Sequence, residues 1–196
     1  MIYQILFVIV RVVMGLWHPV FRVRGRENFP QDRNVLICAN HSGLADPVWI
    51  ELALHPKRPP KIMAKAEVLK IPVLGWIFKA LGAFGVRRGE NDVTAVKTAL
   101  KTLRDGENLM LFPEGTRVRP WKEITPKSGA VMLAVRTKTP ILPVWLQPKR
   151  FPFSPLACVI GAPYLPPAST EKPAQSELHE LTVDLMDRIY KLGETL

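Results

Sequence analysis

The sequence predicts a single α/β domain, a largely parallel or mixed sheet flanked by helices, with an apolar helix ahead of it over residues 1–21. Three observations predict it. Short apolar runs alternate with amphipathic stretches of helical period along most of the chain, the order that builds a sheet with crossover helices. A length of 196 residues supports one compact core and leaves little room for a second. Apolar residues make up 47% of the chain, which sets disorder aside.

The opening segment, MIYQILFVIVRVVMGLWHPVF, carries one formal charge, Arg11, at its middle. An arginine at the centre of a bilayer-spanning helix is expensive. A signal peptide puts its positive charge before the apolar run and a small-residue cleavage site after it, and neither is present here. The pattern therefore predicts a helix lying in a membrane interface, with Arg11 reaching for solvent and Tyr3 and Trp17 at headgroup level. A core helix with an exposed arginine is the plainer alternative.

Phe21–Val23 then reads as a short strand and 25–33 as a turn-rich loop. The run NVLICAN, 34–40, reads as a strand buried on both faces. Pro47 suits the first turn of a helix, with Asp46 as its cap and Val48, Trp49, Leu52 and Leu54 on its apolar face. Pro56–Pro60 ends that helix. Strands are expected at Lys61–Lys65 and Ala83–Arg87, on either side of a mixed stretch broken by Pro72. Asn91 or Asp92 caps a helix to Arg104 with Val93, Val96, Leu100 and Leu103 inward, and Asp105-Gly106 stops it. Strands at Asn108–Phe112, Pro140–Leu146 and Leu156–Ile160 surround a helix at Ser128–Lys138. A last amphipathic helix, Ser176–Lys191, carries Leu178, Leu181, Leu185 and Ile189 on one stripe.

The formal charge is +10. The excess lies in residues 1–170, with 24 Lys/Arg against 11 Asp/Glu, and the tail is acidic. Such a body suits anionic lipid or a phosphorylated substrate. Zinc-finger spacings, RNA-binding strand signatures and a concentrated basic helix are all lacking, so nucleic acid is not expected as a partner. Cys38 and Cys158 follow no metal or redox spacing and read as buried thiols in a reducing compartment.

Two segments carry chemistry, and each follows a strand directly, where sites of α/β sheets lie. In NHSGLADP, His41 and Asp46 stand five apart across a turn. A turn can fold Asp46 back onto one ring nitrogen, fixing the tautomer and leaving the other nitrogen to take a proton from a hydroxyl. Alone, the pair is equally well a polar turn and a cap. Ser42 reads as a turn residue, because no nucleophile elbow surrounds it. In FPEGTR, Pro113 and Gly115 constrain a loop that presents Glu114, Thr116 and Arg117. The arginine's planar fork suits a phosphate, and Gly115 exposes backbone N–H groups to an anion. Arg88, after the Ala83–Arg87 strand, is the candidate partner of Arg117 in a two-arginine phosphate clamp. Arg119 and Lys122 either extend the positive charge or are ordinary solvated residues.

Together these segments resemble the glycerolipid acyltransferase family, and within it the bacterial 1-acyl-glycerol-3-phosphate acyltransferases, over roughly residues 20 to 165. NHSGLADP matches the family's first motif with His41 and Asp46. GAFGVRR matches the second with Arg88, FPEGTR the third with Glu114, Gly115 and Arg117, and ILPVW the fourth with Pro143. The resemblance implies His41 as general base and Asp46 as its partner. It implies Glu114, Gly115, Thr116, Arg117 and Arg88 as acceptor-binding, and Pro143 as support for the substrate pocket. It implies a membrane-associating segment at 1–21 and an acyltransferase domain at 22–196. The donor is acyl-CoA or acyl-acyl carrier protein, with no permanently bound cofactor and no metal. The acceptor is a lysophospholipid, most often 1-acyl-sn-glycerol 3-phosphate, giving phosphatidic acid. Membrane lipids, and acyl carrier protein where it carries the donor, are the expected partners, at the cytoplasmic face of the cell membrane, with the chain peripheral or monotopic. Acylation of glycerol 3-phosphate or another lysolipid, thioester hydrolysis and non-catalytic lipid binding are the alternatives.

Overall fold

A computed structural model describes residues 2–72, 74–80, 82–86, 92–117, 125–148 and 151–195. Helix α1, Ile2–Trp17, leads into strand β1, Phe21–Arg24. Then come β2 (Leu36–Ala39), α2 (Asp46–Leu54), β3 (Lys61–Lys65), α3 (Leu74–Ala80), β4 (Ala83–Val86) and α4 (Val93–Arg104). The chain continues through β5 (Leu109–Leu111), α5 (Gly129–Thr137), β6 (Ile141–Leu146), β7 (Leu156–Ile160) and α6 (Gln175–Gly193). Helix α3 falls in the mixed stretch that the apolar pattern left unassigned. The other elements lie where periodicity placed them, with ends shifted by a residue or two, except that α1 stops at Trp17, four residues short of the expected Phe21.

All seven strands join one sheet in the order β1-β7-β6-β2-β5-β3-β4. Among the described strands, the β6–β7 pair alone is antiparallel. The sheet is therefore mixed, with β1 and β7 running opposite to the other five. The carboxyl ends of β2–β6 and the amino ends of β1 and β7 consequently share one edge.

Alternation along the buried strands splits the core in two. Ile37, Ala39, Met110, Val144 and Cys158 face a cluster that includes Trp49, Ile50 and Leu54 of α2, with Phe7 of α1 joining it. Leu36, Cys38, Leu109, Leu111 and Ile141 face the other cluster, under α4, α5 and α6. All four residues of β2 are fully buried because helices cover both faces of the sheet.

Two local expectations are corrected. Asp46 does not cap α2: Ala45 is the N-cap residue, and Asp46 is already in the first turn. Its carboxylate turns back to the preceding loop instead. In α4, Val93 is exposed, and the buried stripe is Ala95, Ala99, Thr102 and Leu103. The small alanines let α4 approach the sheet, while the larger valines are left at its rim. Asp92 caps this helix as expected, accepting from the Ala95 N–H at 2.9 Å.

Candidate active site

Strands β2 and β5 are parallel neighbours, with Cys38 paired to Leu111. Three residues past each partner stand His41 and Glu114. The sheet register thus brings together two motifs separated by 73 residues in sequence. The His41 backbone N–H donates to Glu114 Oε2 at 2.9 Å.

The loop after β2 is organised around Asp46, which is fully buried. One of its oxygens, Oδ2, accepts from His41 Nδ1 at 2.9 Å and from the backbone N–H groups of Ser42 at 2.6 Å and Gly43 at 2.8 Å. A carboxylate only accepts, so Nδ1 carries the proton and Nε2 the lone pair. The ring stacks on Phe112, with centroids 4.2 Å apart and planes at 22°. His41 is 9% exposed, so a ring held by Asp46 and Phe112 keeps a small part of its surface open. This is the geometry of a pre-oriented base.

Glu114 is 2% exposed. Its second oxygen, Oε1, accepts from the Tyr190 hydroxyl of α6 at 2.8 Å. Burial pushes its carboxyl up to about 7, against the lowering pull of the hydrogen bonds from Tyr190 and His41; the nearby Asp46 charge adds to the rise. Gly115 follows at φ 68°, a left-handed backbone that a side chain disfavours, and a Cβ there would stand 3.2 Å from Lys127 Cγ. Lys127 in turn donates its backbone N–H to Pro113 O at 2.7 Å, tying the loop to the start of α5.

Beside this loop opens a cavity of about 550 Å³. Its walls are mostly apolar, from Val93 and Val96 of α4, Ala130 and Leu133 of α5, and Met63 of β3, with Phe112 and Lys127 at the loop side. Phe112 therefore has one neighbour in the cavity and another in the His41 ring. The size suits a small-molecule or acyl-chain site, for which about 300–1,000 Å³ is usual.

The expected residues are only partly convergent. His41, Asp46 and Glu114 form one buried network. Gly115 shapes the loop, and Thr116 and Arg117 are exposed on it. Pro143 is buried inside β6, paired with Cys38, and is not among the residues lining the cavity. Arg88, with Arg87, Arg119 and Lys122, lies outside the described residues.

Two further residues, Asn40 and Tyr190, hold the site. The Asn40 amide donates to Leu146 O and accepts from Leu146 N–H, both at 2.8 Å, clamping the end of β2 to β6 just before His41. A polar residue closing an apolar strand was a signal for Asn40. Nothing in the spacing of α6 singles out Tyr190.

The acyltransferase family model matches residues 20–147. That span holds both motifs and six of the seven strands. The chain belongs to the acyltransferase family. It is an O-acyltransferase by that membership, and among its relatives is the 1-acyl-sn-glycerol-3-phosphate acyltransferase of Bacillus subtilis, 29% identical over 95% of this chain and 94% of that one. The 1-acyl-sn-glycerol-3-phosphate acyltransferase of Borreliella burgdorferi is 36% identical over 63% of this chain, which spans half the length of that relative. Among solved structures, the 1-acyl-sn-glycerophosphate acyltransferase PlsC of Thermotoga maritima superposes with a TM-score of 0.72 at 27% identity, over 97% of this chain and 79% of that one. Tyr190 lies beyond the span of the family model, yet its hydroxyl reaches the carboxylate of the FPEGTR loop.

Proposed function

We propose that this acyltransferase moves a fatty acyl group from an acyl thioester to the free sn-2 hydroxyl of 1-acyl-sn-glycerol 3-phosphate, giving phosphatidic acid. The observation that carries the mechanism is the 2.9 Å bond from His41 Nδ1 to Asp46, which leaves Nε2 as the basic atom of a ring stacked on Phe112, a residue of the cavity wall. The acceptor's phosphate docks on Arg117, with Arg88 as the second arm of the clamp. Its hydroxyl lies against His41 Nε2. The oxygen attacks the thioester carbonyl while Nε2 takes the hydroxyl proton. The new C–O bond forms, the C–S bond breaks, and the imidazolium returns the proton to the leaving thiolate. Asp46 stabilises the imidazolium between these steps. The N–H groups of His41, Ser42, Gly43 and Gly115 are already engaged, so the carbonyl oxygen finds its donors elsewhere.

The cavity between α4 and α5 takes an acyl chain, and its lining supports that reading. The donor is acyl-CoA or acyl-acyl carrier protein, since both present the same pantetheine thioester. The enzyme works on the cytoplasmic face of the cell membrane, where such donors are made, with α1 lying on the bilayer as a peripheral or monotopic anchor. No helix among the described residues is long and apolar enough to cross a membrane. The α1 face away from the body supports attachment: Ile5, Val8, Ile9, Val12, Val13 and Leu16 are each more than half exposed.

Purified protein in mixed micelles, given an acyl thioester and a panel of acceptors, tests the substrate. Preference for 1-acyl-sn-glycerol 3-phosphate is the expected result. Preference for glycerol 3-phosphate or a lysolipid without a phosphomonoester reassigns the acceptor and contradicts the arginine clamp.

A further inference from the structure

The loop between β6 and β7 exposes two large aromatic side chains, Phe151 at 72% and Phe153 at 75%. Exposed rings on a proline-flanked turn have no packing role in a monomer. Phe153 is also held at φ 64°, in the left-handed region that a bulky residue rarely enters. Such strain persists only where the surroundings enforce it, and here hydrogen bonds to the end of α1 do so. The Phe153 N–H donates to Trp17 O at 2.8 Å, His18 Nδ1 lies 2.8 Å from Ser154 O, and the Leu156 N–H donates to Val20 O at 2.9 Å. Two of these hydrogen bonds stitch the loop to the end of α1 and the third opens the β1–β7 pairing beside it, where Trp17 and Val20 are exposed as well.

The position of this joint follows from the sheet. Strand β1 begins after Val20 and β7 begins after Pro155, with Phe21 paired to Leu156. Both amino ends sit on the edge where β2 and β5 end, the edge that carries His41 and Glu114. The exposed Leu44, in the His41 loop, lies on that edge too. On α1, Arg11 shares the stripe of Phe7 and His18 and lines a cleft against the body with them. The outward face of α1 is therefore aliphatic and uncharged, and its aromatic end is extended by the loop.

We propose that the Phe151–Ser154 loop is a second membrane-insertion element, which joins α1 in seating the active-site edge of the sheet on an anionic lipid bilayer. The inference rests on the reading of α1 as a bilayer anchor. Lipid is the fitting occupant for three reasons. The surface combines aliphatic residues with aromatic rings at its end, the pattern of an interfacial anchor. Lys149 and Arg150 precede the loop in a chain of net charge +10, which suits anionic headgroups. Both proposed substrates bring acyl chains to this edge.

Vesicles of phosphatidylethanolamine and phosphatidylglycerol, with the full chain, provide the test. Wild type, a Phe151→Ser/Phe153→Ser variant, an α1 variant (Val8→Asn/Val12→Asn) and Phe153→Gly are compared by co-sedimentation. Phe153→Gly loses one ring but relieves the backbone, so it keeps or raises the melting temperature and reports on binding in a folded protein. Phe153→Cys carries an environment-sensitive fluorophore; the native thiols, Cys38 and Cys158, are buried and stay unlabelled. The expected result is partitioning weaker by about tenfold or more for the loop double variant and by a smaller factor for Phe153→Gly. The probe brightens on vesicles and is quenched by spin-labelled acyl chains. Wild-type binding by the loop double variant with a dark probe overturns the loop's role, and the α1 anchor then stands if the α1 variant alone loses binding. Failure of wild type to bind removes the anchor and this inference with it. A probe that brightens without lipid as the protein dimerises overturns the proposal in favour of a second copy of the chain on this face.

Discussion

Asp46 is the residue on which the site turns. A single oxygen gathers the His41 ring and the Ser42 and Gly43 N–H groups, so the side chain that fixes the base's tautomer also folds its loop. Asn at this position keeps an oxygen for those donors but cannot stabilise an imidazolium. Asp46→Asn is expected to lower kcat by about 100-fold or more with little change in KM, and circular dichroism should show a native fold. Glu114 makes a second prediction, about stability. Its carboxyl in the folded protein titrates near 7, above the ordinary 4.5, because burial disfavours the charge. Between those values the folded chain holds a proton that the unfolded chain has released. Stability from this group is full below the lower value, falls as pH rises through the window, and levels off above about 7. Urea unfolding at about pH 5 and about pH 8 should show a loss on the order of 2 kcal/mol in wild type, absent in Glu114→Gln. A Gln can still accept from the His41 N–H and donate to the Tyr190 oxygen.

Elements decide what the sequence could disclose. The strands of the centre were legible because a run buried on both faces, such as NVLICAN, has no other use in a small α/β chain. Both chemical loops were legible because turn residues follow those runs at once. Helix α4 was legible in part: Leu103 is buried and Leu100 packs against the core as expected, but periodicity also marks Val93 and Val96 as core, whereas the close approach to the sheet selects Ala95 and Ala99 and leaves the valines to the cavity. The cap was misassigned at Asp46 because a helix-start aspartate looks the same whether it turns forward to its own helix or back to the preceding loop. Helix α6 hid its contribution, since one tyrosine beside an apolar stripe carries no spacing signal. Its contact with Glu114 predicts that Tyr190→Phe lowers kcat by about fivefold and costs about 1 kcal/mol of stability, the usual worth of a part-buried hydrogen bond. Gly161 binds the same helix to the sheet. A Cβ there would stand 2.9 Å from Pro143 Cγ and 3.2 Å from the Leu192 methyls, so Gly161→Ala should destabilise by about 1–3 kcal/mol in thermal or urea melts.

At the scale of the molecule, topology does most of the functional work. Running β1 and β7 against the other strands places the end of α1, the β6–β7 loop, the histidine loop and the FPEGTR loop on one edge. The end of α1 thereby lies on the edge that carries His41 and Glu114. No reading of local pattern contains that arrangement, because it depends on which strands pair and in which direction. Strand order and the antiparallel β6–β7 pair were beyond the sequence for the same reason: they are fixed by packing between distant segments.

The central claim is that His41 takes the proton of an acceptor hydroxyl so that the acyl chain passes directly to lipid. The most direct test follows thiol release and acyl-lipid formation together, with and without 1-acyl-sn-glycerol 3-phosphate, in wild type and His41→Ala. The account predicts that wild type releases thiol only with acceptor and one for one with phosphatidic acid. It predicts that His41→Ala, folded and still vesicle-bound, loses both by about 1,000-fold or more. Thiol release without acceptor, or turnover within about tenfold of wild type in the alanine variant, would contradict it.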